Sequence, residues 1–189
     1  MKTNKIILAS SSPRRKELFD KYGLDYIVDY VETNEVLDSH LTLSKQLENI
    51  ALQKARPLKN KYPDHIIISA DTMVTFQQQM LGKPKDREDA KRMLKQLSGK
   101  QQLVISAVCI IDGHQEITFS DGTIVIFKEI SDQEIEEYLD TNEWIGKAGA
   151  YAVQGIAKKF VLKIQGDKET VIGLPMRLIM NYLNSGQID

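Results

Sequence analysis

Short apolar runs alternate with longer amphipathic stripes along the chain, and the period of each assigns an element. Residues 5–9 (KIILA) and 65–70 (HIIISA) are strand-length runs with few polar breaks, the pattern of buried strands. Residues 26–31 read as a third strand. Ser12 followed by Pro13 is an N-cap and an N1 proline, and Leu18, Phe19 and Tyr22 then share one helical face that Gly23 ends. Leu47, Ile50 and Ala51 give residues 43–55 a helical stripe, and Ala90, Met93, Leu94 and Leu97 do the same for 86–97. Residues 103–111 and 116–129 are long strands joined at Asp112-Gly113, a hairpin signal. Ser131 and Glu134 form a capping box that opens a helix through Leu139. Residues 150–154 and 160–164 read as strands, and 175–183 as a last helix ending near Gly186. The order β-α-β-α-β, helix, hairpin, helix, strands and helix predicts an α/β fold with a mixed, strongly twisted sheet flanked by helices.

Composition narrows this picture without redirecting it. The 189 residues, 42% hydrophobic and 27% charged, suit one soluble globular domain, residues 1–189, with two lobes around a central cleft. A net charge of −1 leaves no overall bias toward nucleic acid or membranes, so an anion site has to be a local cluster. One cysteine, Cys109, excludes an internal disulfide and fits a cytoplasmic protein. Its apolar surroundings predict a buried structural thiol. No apolar stretch approaches the roughly 18 residues of a membrane span, and the N-terminal apolar segment is too short for a signal peptide.

Several polar positions break the pattern and carry the candidate chemistry. In LASSSPRRKEL a strand ends in serines and a capped helix starts at once, exposing backbone N–H groups that bind anions. Arg14 and Arg15 are unfavourable beside the positive end of that helix dipole. They make sense around a polyanion, whose oxygens arginine grips bidentately, or simply as a surface pair. Asp71 follows three isoleucines at the expected carboxyl end of a central strand, where ligands bind in open α/β sheets. It can hold a metal, take a proton from water or cap a turn. Lys54 extends the stripe of Leu47, Ile50 and Ala51 by one step, placing a cation on or beside a buried face, where it either snorkels or serves a site. Gly82-Lys83-Pro84 sets a lysine in a stiff turn. Glu32 and Glu35 lie in a polar loop, and either can join Asp71 around a hard divalent cation or remain solvated. Residues 141–155 (TNEWIGKAGAYAVQG) hold the sole tryptophan and three glycines; Gly146 and Gly149 allow close backbone approach, and Gln154 offers an amide able to pair with a base edge. Together these residues suggest a nucleotide phosphate site, with no Walker or dinucleotide fingerprint competing.

The motifs LASSSPRRKEL, the ADT at residues 70–72, GKP at 82–84, LSGK at 97–100, EWIGKAGAYAVQG and VIGLP at 171–175 resemble those of the Maf family, in order and over nearly the whole chain. These are nucleoside triphosphate pyrophosphatases first described as septum-formation inhibitors. The resemblance implies an elongated mixed sheet similar to the inosine triphosphate pyrophosphatase fold, hydrolysis of a triphosphate to the monophosphate and pyrophosphate with Mg2+ or Mn2+, and a homodimer. It makes Asp71 the catalytic carboxylate and metal neighbour, Glu35 rather than Glu32 its acidic partner, and Lys54 and Lys83 phosphate contacts. Ser10, Arg14 and Arg15 match the phosphate loop. The ADT motif resembles the branch acting on dTTP and UTP, in which Arg14, Thr72 and Gln154 correspond to positions linked to substrate choice. Alternatives are a modified nucleotide such as 7-methyl-GTP, or a non-catalytic nucleotide-binding regulator of septum formation. Two positions depart from the family pattern: Gln102 replaces a usual histidine and Ala152 a usual glycine.

Overall fold

The apolar run near the N-terminus becomes a short buried strand, β1 (Ile6–Leu8), and the rest of the sheet grows from it. The computed structural model describes residues 5–36, 38 and 40–188. The other strands are β2 (Tyr26–Val28), β3 (Ile66–Phe76), β4 (Gln79–Leu81), β5 (Gln101–Asp112), β6 (Gln115–Phe127) and β7 (Val161–Gln165). They form a mixed sheet in the order β2-β1-β3-β5-β6-β7, with β4 antiparallel to β3 off that path. β1 is parallel to both neighbours, Ile7 lying opposite Ile27 and Ile67. The helices are α1 (Pro13–Lys21), α2 (Leu43–Ala55), α3 (Arg87–Leu97), α4 (Asp132–Asp140), α5 (Lys168–Ile172) and α6 (Met176–Ser185).

The described residues fall into two compact units, one within Met1–Asp71, Ser106–Asp121 and Gly173–Asp189, the other within Thr72–Ile105 and Gly122–Ile172. β3, β5 and β6 each supply residues to both. In the first unit Ile7, Ala9, Ala51, Ala55, Leu58, Ile67, Cys109 and Ile111 make a buried cluster, which seats α2 on the sheet. Hydroxyls complete that seat. Ser69 donates to the Ala51 carbonyl at 2.5 Å, and buried Glu48 accepts from Thr118 at 3.1 Å and Ser120 at 2.9 Å. α1 starts at Pro13 as expected, but the Ser12 hydroxyl makes no cap bond; its N–H donates instead to the Ser10 hydroxyl at 3.3 Å.

In the second unit, α3 is capped by Asp86, whose carboxylate accepts from Asp89 N–H at 2.8 Å, and α4 opens on the expected Ser131–Glu134 capping box. An aromatic group fills the interior: Phe127 lies 4.8 Å from Tyr151, and Tyr138 lies 5.4 Å from Phe160, between ring centroids.

Three expectations about strands need correction. β2 stops at Val28 instead of Val31. β3 does not end at Ala70 but runs on through Asp71 to Phe76 and turns back into β4, an element without an obvious sequence signal. The turn is Gln77-Gln78, both with left-handed backbone (φ 48° and 63°), where Asn-Gly is the usual choice. Residues 150–154 are not a strand. Gly149 and Ala150 both take positive φ (67° and 64°) in a short 3-10 turn, and Gly155 N–H then bonds back to the Ala152 carbonyl at 3.1 Å.

Candidate active site

Strand lengths decide where Asp71 stands. The parallel register of β1 with β3 ends at Leu8 opposite Ile68, and the Ala9 N–H makes a last bond to the Ile68 carbonyl at 2.8 Å. Asp71 is therefore three residues beyond its paired neighbour, although β3 itself continues. Alternation along β3 puts Ile67, Ser69 and Asp71 on one face. That face meets α2, because Ile67 packs with Ala51 and Ala55 and Ser69 bonds the Ala51 carbonyl.

Lys54 lies one turn along α2 from Ile50 and Ala51, so it reaches the same face at Asp71. Its ammonium donates to Asp71 Oδ1 at 2.6 Å and pairs with Glu35 Oε1 at 2.8 Å. The Lys54 and Asp71 side chains are 21% and 16% exposed against 47% for Glu35, so one carboxylate is sheltered and the other faces solvent. Two carboxylates on one lysine leave a net negative charge. The loop carrying Glu35 is held by a residue that the sequence reading did not single out. The Gln53 amide accepts from Val36 N–H and donates to the Val36 carbonyl, both at 3.1 Å. A polar residue on an exposed helix face gives no signal of such a bond. Glu32 is exposed and takes no part in the triad.

The adjacent arginines divide. Arg15 Nε–H donates to the Gly173 carbonyl at 3.1 Å, while its Nη1 donates to the Ser10 hydroxyl at 3.1 Å and the Ala70 carbonyl at 2.8 Å. Arg15 thus ties the chain after β1, the β3 residue beside Asp71 and Gly173 within one unit. Burial lowers its pKa to about 10, against the opposing attraction of Asp71. Arg14, one position earlier on α1, is half-buried.

The first unit therefore brings together Ser10, Arg15, Lys54, Asp71 and Glu35, with Arg14 next in sequence. Thr72, Lys83 and Gln154 belong to the second unit. There, the Gly149 N–H donates to the Gly82 carbonyl at 3.1 Å, joining the loop of Lys83 to the glycine-rich segment that leads to Gln154. Gly149 has no room for a side chain: a Cβ would meet Val74 at 3.1 Å. Lys83 and Gln154 are exposed, and Thr72 is half-buried. Gln102, at the usual histidine position, is buried; its amide, oriented to donate to the Lys100 and Val125 carbonyls at 3.2 Å each, links neighbouring backbone.

A divalent metal is compatible with the donor set. Asp71 and Glu35 already converge on one cation, and both offer hard oxygen ligands. Among the described residues no three His, Cys, Asp or Glu side chains gather to enclose an ion. Such a metal would then take its remaining ligands from water or substrate, as Mg2+ usually does. No helix of the described residues is long and apolar enough to cross a membrane.

A mixed sheet flanked by helices, with two carboxylates paired to one lysine beside a strand, defines an α/β protein. The chain belongs to the Maf family, whose Maf-like protein description matches residues 5–186. It is 40% identical over 185 residues to a dTTP/UTP pyrophosphatase of Bacillus cereus, covering 98% of this chain and 97% of that one. It has the same identity and coverage with a dTTP/UTP pyrophosphatase of Bacillus anthracis. Among solved structures it is similar to the Staphylococcus aureus Ham1 protein, at a TM-score of 0.47 and 12% identity, over 66% of this chain and 72% of that one.

Proposed function

We propose that the protein is a nucleoside triphosphate pyrophosphatase that hydrolyses dTTP and UTP to the monophosphate and pyrophosphate, a cytoplasmic house-cleaning enzyme acting as a homodimer and not on nucleic acid. The observation that carries this reading is the Lys54 ammonium held between Asp71 and Glu35. The setting is a chain 40% identical to proteins named for that activity.

In this reading water attacks the α-phosphorus, the bond from that phosphorus to the bridging oxygen breaks, and pyrophosphate leaves. Asp71 orients the water and accepts its proton, the more sheltered carboxylate being the better placed. Asp71 and Glu35 would hold Mg2+ or Mn2+, which when bound would supply charge neutralisation and polarise a water. Lys54 moves its charge from the carboxylates to phosphate oxygens, and Lys83, Arg14 and the Ser10 loop bind further phosphate oxygens. Arg15 keeps that loop and Ala70 in register. Thr72 and Gln154 meet the nucleoside, the Gln154 amide matching the mixed donor and acceptor edge of a pyrimidine.

The test is pyrophosphate release from dTTP, UTP and 7-methyl-GTP with Mg2+ or Mn2+. Asp71→Asn is expected to lower kcat on the order of 100- to 10,000-fold with the melting curve retained. Turnover of that variant near wild type would refute the assignment. Triphosphate binding without metal-stimulated hydrolysis in the wild type would favour a regulator instead.

A further inference from the structure

We infer that Glu143 is a positioning residue for substrate selection: its carboxylate clamps the chain just after Gly155 and so fixes the turn that presents Gln154. The inference rests on the proposed reading that Gln154 meets the base.

Glu143 lies within the EWIGKAGAYAVQG motif but was not among the candidates read from the sequence. Both of its carboxylate oxygens are committed to backbone. Oε1 accepts from Ile156 N–H at 2.8 Å and Oε2 from Ala157 N–H at 3.1 Å. These N–H groups open the 3-10 helix Ile156–Phe160 and have no partner within it. Charge-assisted bonds of this kind are stronger than neutral ones, so the carboxylate acts as a stiff strut.

The strut is anchored at its own base. Glu143 N–H donates to the Thr141 hydroxyl at 3.2 Å, and the next residue, buried Trp144, donates its indole N–H to the Leu139 carbonyl at 3.0 Å. At the far end the fit is tight. A Cβ on Gly155 would lie 1.8 Å from Glu143 Oε1 and 2.4 Å from its carboxyl carbon. Gly155 has φ −98°, which other residues adopt freely. Glycine is needed there because the carboxylate fills the space where a side chain would start.

The turn of residues 152–155 is closed by the Gly155 N–H to Ala152 carbonyl bond at 3.1 Å. Ala152 and Val153 before Gln154 are buried, as are Ala157 and Phe160 after it. Gln154 is the exposed residue between two fixed flanks. Releasing the carboxylate frees one flank, and the amide loses its direction while the catalytic carboxylates of the first unit are untouched.

The experiment measures kcat and KM for dTTP, UTP and GTP in Glu143→Ala, Glu143→Gln, Gly155→Ala, Gln154→Ala and the Glu143→Ala/Gln154→Ala double variant, with a melting curve for each. Glu143→Ala is expected to raise KM for the pyrimidine substrates about 10-fold or more and to narrow their preference over GTP, with kcat within about twofold. Gly155→Ala is expected to do the same by expelling the carboxylate. Glu143→Gln, which keeps one carbonyl acceptor, is expected to recover part of the preference. In the Gln154→Ala background Glu143→Ala is expected to add nothing further. If Gln154→Ala removes the preference while folded Glu143→Gln and Gly155→Ala both keep it in full, the positioning role is overturned and the reading of Gln154 survives. If Gln154→Ala itself leaves the preference unchanged, the reading of Gln154 falls and the role of Glu143 falls with it.

Discussion

Arginine at position 15 shows how much one side chain can be asked to hold. Its guanidinium bonds two main-chain carbonyls and a hydroxyl at positions 173, 70 and 10, far apart in sequence. Lysine carries the same charge but lacks the planar fork, so it can replace only part of this geometry. Arg15→Lys is expected to leave at least one carbonyl unsatisfied and to cost about 1–3 kcal/mol. A thermal melt reads this as roughly 2–4 °C for each kcal/mol in a chain of this size. An unchanged melting temperature would show that the tie is dispensable. The sequence pointed Arg15 at a bound polyanion; among the described residues its charged neighbours include Asp71 and Glu35. The tie itself was not legible, because partners at positions 70 and 173 leave no local pattern. Lys54 was legible for the opposite reason. A cation continuing the stripe of Leu47, Ile50 and Ala51 must face what that stripe faces, and here it faces Asp71.

Elements with a local signal were the ones read well from sequence. α2 begins and ends where its stripe predicts, with the Thr42 hydroxyl capping Lys45 N–H at 3.4 Å. α3 and α4 carry their own caps, and Gly99 and Gly186 take the positive φ expected after helix ends. What misled was backbone whose conformation its residues do not advertise. Ala150 occupies left-handed space with no glycine to announce it, and the apparent strand of residues 150–154 dissolves there. Its backbone is compensated by Tyr138, whose hydroxyl donates to the Ala150 carbonyl at 3.1 Å. The turn between β3 and β4 is the sharper case, since Gln77 and Gln78 are both left-handed, with no side-chain bond to either among those described. Left-handed backbone costs an ordinary residue about 1–2 kcal/mol. Replacing the pair by Asn-Gly is expected to raise stability by about 1 kcal/mol or more, read from a urea midpoint at unchanged slope. A fall in the midpoint would mean that the glutamine side chains make stabilising contacts of their own.

For the molecule as a whole, a mixed α/β sheet was legible from sequence, but the path of the chain through two units was not. Each unit is assembled from segments distant in sequence, so neither shows as a composition shift or a linker. The boundaries fall inside strands: between Asp71 and Thr72 in β3, between Ile105 and Ser106 in β5, and between Asp121 and Gly122 in β6. A strand cannot melt at one end without weakening the ladder bonds next along it, and three continuous strands make the same demand. Unfolding is therefore expected to be a single cooperative transition, and the chain carries a reporter in each unit. Cys109, fully buried in the first, has its thiol pushed up to about 12, chiefly by burial, so it resists thiol reagents until its surroundings open. Trp144, buried in the second, reports through its fluorescence. Across a urea series, thiol labelling in short pulses and tryptophan emission are expected to give coincident midpoints. Labelling of Cys109 at urea concentrations where Trp144 emission is still native would show that the units open separately, and that the shared strands do not bind them into one folding unit.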